Sequence, residues 1–256
     1  MSIFAKLKSD GFEETQDRLG GFQVRETDIY TGPIKMAYAG SSKGGAQNVT
    51  LILDLPGGSE YRETIYITNK KGENWFVNKD DPTKRVALPG FTVMDDICTV
   101  TSGKGLAEQD TEAKMVKVYD PDQKKEVPKS VPVLVELLGL TVSLGIGKLL
   151  ENKTKLEGNE YVPTAEERSS NVIEKVFHTE TKMTCAEARQ GLSEGVFWDA
   201  WLERNKGKER DKRTIKDGQG GAAGAPVATK SSNGAPVAGG QAGATRPSLF
   251  GAKKAA

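Results

Sequence analysis

From Lys206 onward the chain lacks the material of a core. Gly, Ala, Pro and Ser dominate, Gly-Ala-Pro-Val-Ala occurs at 224–228 and again at 234–238, and large apolar side chains reappear at the far end with Leu249 and Phe250. Such a segment cannot bury enough apolar surface to offset an ordering entropy of roughly 1–2 kcal/mol per residue. The expectation is a disordered tail over 206–256 with a short recognition peptide near its tip, so the fold must be built by the residues before it. Charge divides at the same place. The tail holds ten Lys and Arg against three Asp and Glu, or +7, while the whole chain is +1, which leaves −6 for residues 1–205. A uniformly basic surface is excluded, and any polyanion site in the body has to be a local patch.

Upstream of the tail the dominant period is two. Val49 to Leu55 is an apolar run closed by Pro56-Gly57-Gly58, and Tyr61 to Thr68 alternates, with Tyr61, Glu63, Ile65 and Ile67 on one face and Arg62, Thr64, Tyr66 and Thr68 on the other. That is the pattern of a half-buried strand. The residues from Phe22 to Tyr38 are also β-prone, and a flexible loop from Gly40 to Asn48 separates them from the next strand, so a β-meander is expected. Lys114 to Tyr119 alternates again, Asp120-Pro121-Asp122 supplies a turn, and Val131 to Leu150 is an apolar tract whose Gly139, Gly145 and Gly147 predict bends or bulges. Further strands are expected over 148–156 and 172–178. Helical spacing is confined to three places. Residues 1–20 read as an N-terminal arm, 89–100 as a short helix, and the capping box Thr184-Cys185-Ala186-Glu187 opens a helix carrying Leu192, Val196, Phe197, Ala200 and Trp201. The domain is therefore taken as 21–205: mainly β, a β-barrel with a short helix between strands and a C-terminal helix.

The sequence carries little sign of catalysis. It has no Gly-x-x-x-x-Gly-Lys-Ser/Thr and no His-Glu-x-x-His, and where Gly-x-Ser-x-Gly spacing occurs, at 40–44 and 191–195, a single histidine leaves little scope for a triad. One histidine, His178, and two cysteines, Cys98 and Cys185, give neither a triad nor a zinc ligand set, and both cysteines stand on apolar faces that suit buried free thiols. Asp95-Asp96 is explained as the acidic cap of a short surface helix. No catalytic residue, metal or cofactor is expected. No apolar run reaches the roughly 20 residues of a membrane span, and no secretory leader is recognised, so a cytoplasmic protein is expected.

What the sequence does offer is cations interleaved with aromatics. A groove for single-stranded nucleic acid needs ammonium or guanidinium groups along the phosphates and flat rings under the bases, each stacked base contributing roughly 1–3 kcal/mol. Lys35 and Tyr38, Lys43 in the glycine loop, Arg62 and Tyr66 on one strand face, Lys70, Lys71 and Trp75 around a basic turn, and Lys114 and Lys117 are the candidates. Each has an ordinary explanation, a tyrosine more often packing in a core and a lysine pair more often solvating a turn; the concatenation favours binding.

The order of parts resembles bacteriophage single-stranded DNA-binding proteins of the OB-fold type. So do the phrases Ile65-Tyr66-Ile67-Thr68-Asn69-Lys70-Lys71-Gly72, Val176-Phe177-His178-Thr179-Glu180-Thr181-Lys182-Met183-Thr184 and Arg246-Pro247-Ser248-Leu249-Phe250-Gly251. The resemblance implies an OB-fold-like barrel that coats single-stranded DNA in viral replication, recombination and repair, in the cytoplasm of an infected bacterium. It further implies a tail that recruits replication proteins such as a DNA polymerase or helicase-primase through Leu249 and Phe250, and it is compatible with a homo-oligomer. Tails of this kind are acidic before a terminal aromatic, whereas this one is basic and runs six residues past Phe250. A β-rich virion structural or assembly protein is the alternative that needs no nucleic acid.

Overall fold

A computed structural model describes residues 24–120, 123–158 and 160–215. The expected arm over 1–20 and the tip with Leu249 and Phe250 lie outside the described residues.

The long strand β1 (Asp28–Ser41) organises the sheet. Its first half pairs antiparallel with β8 (Thr141–Glu157), from Asp28 opposite Ile146 to Pro33 opposite Thr141. Its second half pairs with β2 (Gln47–Leu55), and the change of partner falls at a register shift between Ile34 and Met36. Pro33, which has no N–H for a ladder, sits where the strand changes partner. A Cβ on neighbouring Gly32 would lie 2.0 Å from the Asp54 carbonyl oxygen, so the crossing depends on a residue without a side chain. Then β2 pairs with β3 (Ser59–Tyr66), and β8 pairs on its other edge with β9 (Glu160–Phe177), giving the order β9-β8-β1-β2-β3.

The structure is mainly β with antiparallel pairing, as the period-two segments predict, but no closed barrel is formed among the described residues. The edge strands β3 and β9 share no backbone ladder. Side chains cross the seam instead. The Ile173 N–H donates to Glu63 Oε2 at 3.0 Å, and the Tyr61 hydroxyl donates to the same oxygen at 2.5 Å. Arg25 donates from its backbone N–H to Asn171 Oδ1 at 2.8 Å and from Nη2 to Ser59 Oγ at 2.7 Å.

Helix α1 (Pro89–Ser102) packs against β3, β8 and β9 and buries Met94, Ile97, Cys98 and Val100. Those residues join Ile34, Leu51, Leu53, Val142, Leu144 and Ile146 in the main core. Pro89 in the first turn and left-handed Gly103 after the last set its ends. Asp95 and Asp96 therefore do not cap the start of the helix. They lie in its middle, where Asp95 Oδ1 accepts the Leu106 N–H at 2.8 Å and capping falls to a different element.

Two further ribbons leave this frame. β4 (Trp75–Val77) pairs with β5 (Arg85–Ala87) in a small hairpin. β6 (Thr111–Asp120) pairs with β7 (Lys125–Leu134), and β7 touches β1 at Val133 opposite Tyr38. There Tyr38, Val131 and Val133 form a second core with Met36, Ile52, Val116 and Val118. The apolar tract from 131 to 150 is thus not one bent strand: a 3₁₀ turn at Val135–Leu137 and Gly139, at φ +79°, divide it into β7 and β8. Gly145 does mark a register shift, and the Trp201 ring lies 3.1 Å from where its Cβ would be.

The C-terminal helix expected from the capping box is two helices. α2 (Cys185–Arg189) has the predicted Thr184 cap, ends before left-handed Gly191, and is followed by α3 (Phe197–Asn205). Glu187 joins them. Its Oε2 accepts the Thr184 N–H at 2.9 Å, while Oε1 accepts the Val196 and Phe197 N–H groups at 2.9 and 2.8 Å. A last strand, β10 (Glu209–Asp211), runs parallel to β8 at Lys148–Leu150, so residues whose composition reads as tail are part of the sheet. Thr27 ties it down. The Gly207 N–H donates to the Thr27 carbonyl at 2.8 Å, and Thr27 Oγ1 donates to the Lys208 carbonyl at 2.5 Å. Cys98 and Cys185 are buried free thiols, as expected.

Candidate nucleic-acid interface

Strand register places the sequence candidates. On the face of β1, β2 and β3 turned away from the main core, cross-strand rows run Met36, Ile52, Arg62; then Tyr38, Thr50, Thr64; then Gly40, Asn48, Tyr66. The second core covers the Tyr38 end of this face, leaving Tyr38 only 4% exposed, so its ring is a packing element. Its hydroxyl accepts from Arg62 Nη2 at 2.7 Å, and Arg62 also pairs with Glu126 of β7 at 3.1 Å. At the open end Tyr66 is 52% exposed.

The row at Tyr66 leads to two loops that touch. The backbone N–H groups of Ile67 and Thr68 donate to the Gln47 carbonyl, and the Gln47 N–H donates to Thr68 Oγ1 at 2.9 Å. This lays the turn 69–73 beside the loop 42–46 and brings Lys70 across Gly44, with its Cε 3.4 Å from the place of a Gly44 Cβ. The Asn69 carboxamide holds the turn, its Oδ1 accepting the N–H groups of Lys71 and Glu73 at 2.8 and 3.0 Å. Lys43, Lys70 and Lys71 all lie exposed at this end of the sheet. The chain then enters β4, where the guanidinium of Arg85 stacks 4.1 Å over the Trp75 ring and Phe76 stands exposed.

Three candidates stand elsewhere. Lys35 lies six residues before the end of β1, roughly 20 Å away along the strand, and is ion-paired with Asp54 and Glu60. Lys114 and Lys117 lie on β6 and, by alternation, point to opposite faces, Lys114 being paired with Glu112 at 3.3 Å. The structure therefore gathers Lys43, Tyr66, Lys70, Lys71 and Trp75, links Arg62 to Tyr38 further along the same face, and separates Lys35, Lys114 and Lys117 from them.

Sequence reading missed Arg85, whose place over Trp75 depends on a seven-residue connection between two three-residue strands. The signal was present in Asp80-Asp81-Pro82 flanked by Val77 and Val86. It also missed a cavity of about 320 Å³ beside the two loops. Among the described residues no group of His, Cys, Asp and Glu could hold a metal ion, and no helix is long and apolar enough to cross a membrane. Compared with models of known protein families and with curated proteins, the chain matches none.

Proposed function

We propose that the protein binds single-stranded DNA without strong sequence preference, in the manner of a phage replication accessory protein. The observation that carries this is the meeting of Lys43, Lys70 and Lys71 with exposed Tyr66 and the Trp75–Arg85 stack at one end of the sheet, on a body that is acidic overall. Cations gathered there neutralise backbone phosphates, and exposed rings beside them accept bases on their faces. The strand order adds support. Five antiparallel strands in the order β9-β8-β1-β2-β3, nearly closing on themselves with a helix across the seam, are what a partly open OB-fold barrel requires. On this reading the protein coats DNA in the cytoplasm of an infected bacterium during replication, recombination and repair. The basic tail, with Leu249 and Phe250, recruits partner proteins of the replication machinery.

Titration of the protein with a dT-rich oligonucleotide, followed by tryptophan fluorescence at low and high salt, tests it. Binding should weaken steeply with salt, and replacing Lys43, Lys70 and Lys71 by alanine should lower the slope of log K against log salt by about 2, at roughly 0.7 for each phosphate no longer neutralised. A folded protein that gives no signal and no shift of the oligonucleotide at low salt overturns the proposal and favours a β-rich virion or assembly protein.

A further inference from the structure

The cavity of about 320 Å³ opens between the core face of the sheet and the first turns after β3. Its walls come from Ala39 and Val49 of the sheet, Phe91 of α1, Leu106 and Ala107 of the following 3₁₀ turn, and Leu134 of β7, and they are mainly apolar. Its rim belongs to the loops already described, because Gln47, Thr68, Gly72 and Asn74 line it and these residues flank Lys70, Lys71 and Trp75. The volume is at the small end for ligand pockets, enough for one flat ring system.

A second observation points to what enters. Gln109 lines the cavity, and its Oε1 is buried without a hydrogen-bond partner, the one such side-chain atom among the described residues. The amide orientation is fixed by its other end, since Nε2 donates to Ser102 Oγ at 2.7 Å and to the Lys104 and Gly105 carbonyls at 3.2 and 3.4 Å. Flipping it would set an oxygen against two carbonyl oxygens. A buried acceptor in that position calls for a donor from outside the protein.

Resting on the single-stranded DNA reading, we infer that this cavity takes one unpaired nucleobase out of the bound strand. Its faces pack between apolar walls, a donor N–H on its Watson–Crick edge meets Gln109 Oε1, and its phosphates lie toward Lys70 and Lys71. Every common base presents an N–H on that edge, so the pocket holds a base without choosing strongly among them.

Two oligonucleotides of equal length, one with normal bases and one with abasic residues, tested against the wild-type protein and two cavity variants, separate this from the wider reading. The wild-type protein should bind the base-containing strand at least about ten-fold more tightly, the loss of one stacked base being of that order. Ala107→Phe, which fills the cavity from an exposed position, should weaken binding of the base-containing strand about ten-fold, leave binding of the abasic strand unchanged, and keep the salt slope. Gln109→Leu, which removes the acceptor, should act in the same direction, and circular dichroism should show both variants folded. Equal wild-type affinity for the two strands, or unchanged binding by both folded variants, overturns the pocket while leaving phosphate binding in place. Absence of wild-type binding to either strand overturns the single-stranded DNA reading and this inference with it.

Discussion

Two glutamates show how environment sets the sign of a residue's contribution. Burial by itself raises the carboxyl of Glu187, but N–H groups of Thr184, Phe197 and Val196 and the Thr184 hydroxyl outweigh it and hold the group below the ordinary glutamate range. A depressed carboxyl adds stability above its unfolded value and loses it as pH falls through its folded value. Glu187→Gln should therefore cost roughly 1–3 kcal/mol near neutral pH and much less at about pH 3, as read from urea midpoints at the two pH values. Glu63 runs the other way. Burial raises its carboxyl despite hydrogen bonds from Tyr61 and the Ile173 N–H, so the stability it contributes is complete below the unfolded value and is lost as pH rises through the folded one. Glu63→Gln, which can still accept both hydrogen bonds, should leave neutral-pH stability unchanged or slightly higher, whereas Glu63→Ala should lower it by about 1–3 kcal/mol. Alternation correctly put Glu63 on the face of Tyr61 and Ile65. Its role across the seam depends on β9, which lies 110 residues further on, and no local pattern carries that.

At the scale of elements, legibility followed length and locality. β2, β3, β6 and α1 were readable because period-two alternation, Pro56-Gly57-Gly58 and Pro89 are local signals that agree with the packed result. The division of the last helix was not, because a capping box states where a helix begins and only tertiary bonds, here from Glu187 to the start of α3, state where the next one does. β10 was missed for a related reason: three charged residues have no β pattern, and their strand exists through pairing with β8. Of the candidate site, the basic turn and Trp75 were legible, while the approach of Lys70 to Gly44 and the stack of Arg85 depend on folding. The crossing of β1 gives a direct test at this scale. Gly32→Ala would press a methyl group into the Asp54 backbone and should lower stability by roughly 1–3 kcal/mol, seen as a drop in thermal midpoint.

For the molecule as a whole, the boundary of the folded body falls later than composition suggests. Asn152 Oδ1 accepts the N–H groups of Thr214 and Ile215 at 2.8 and 3.0 Å, which fastens the chain beyond β10 to β8. A protein ending at Ile215 should keep the thermal midpoint of one ending at Ala256. One ending at Asn205 loses β10 and the partners of Thr27 and Asn152, and should melt about 5–10 °C lower. Equal midpoints for the Asn205 and Ile215 forms would show that β10 adds nothing. The bond from Thr27 to Lys208 also fixes an order of events during synthesis. A hydroxyl made just ahead of β1 waits 181 residues for its acceptor. At translation rates of about 5–20 residues per second that wait is roughly 10–40 s. β8 is complete only at Glu157, and from then until Asp211 is made the edge that will receive β10 has no partner strand, so a nascent chain is most open to wrong pairing at the strand finished last.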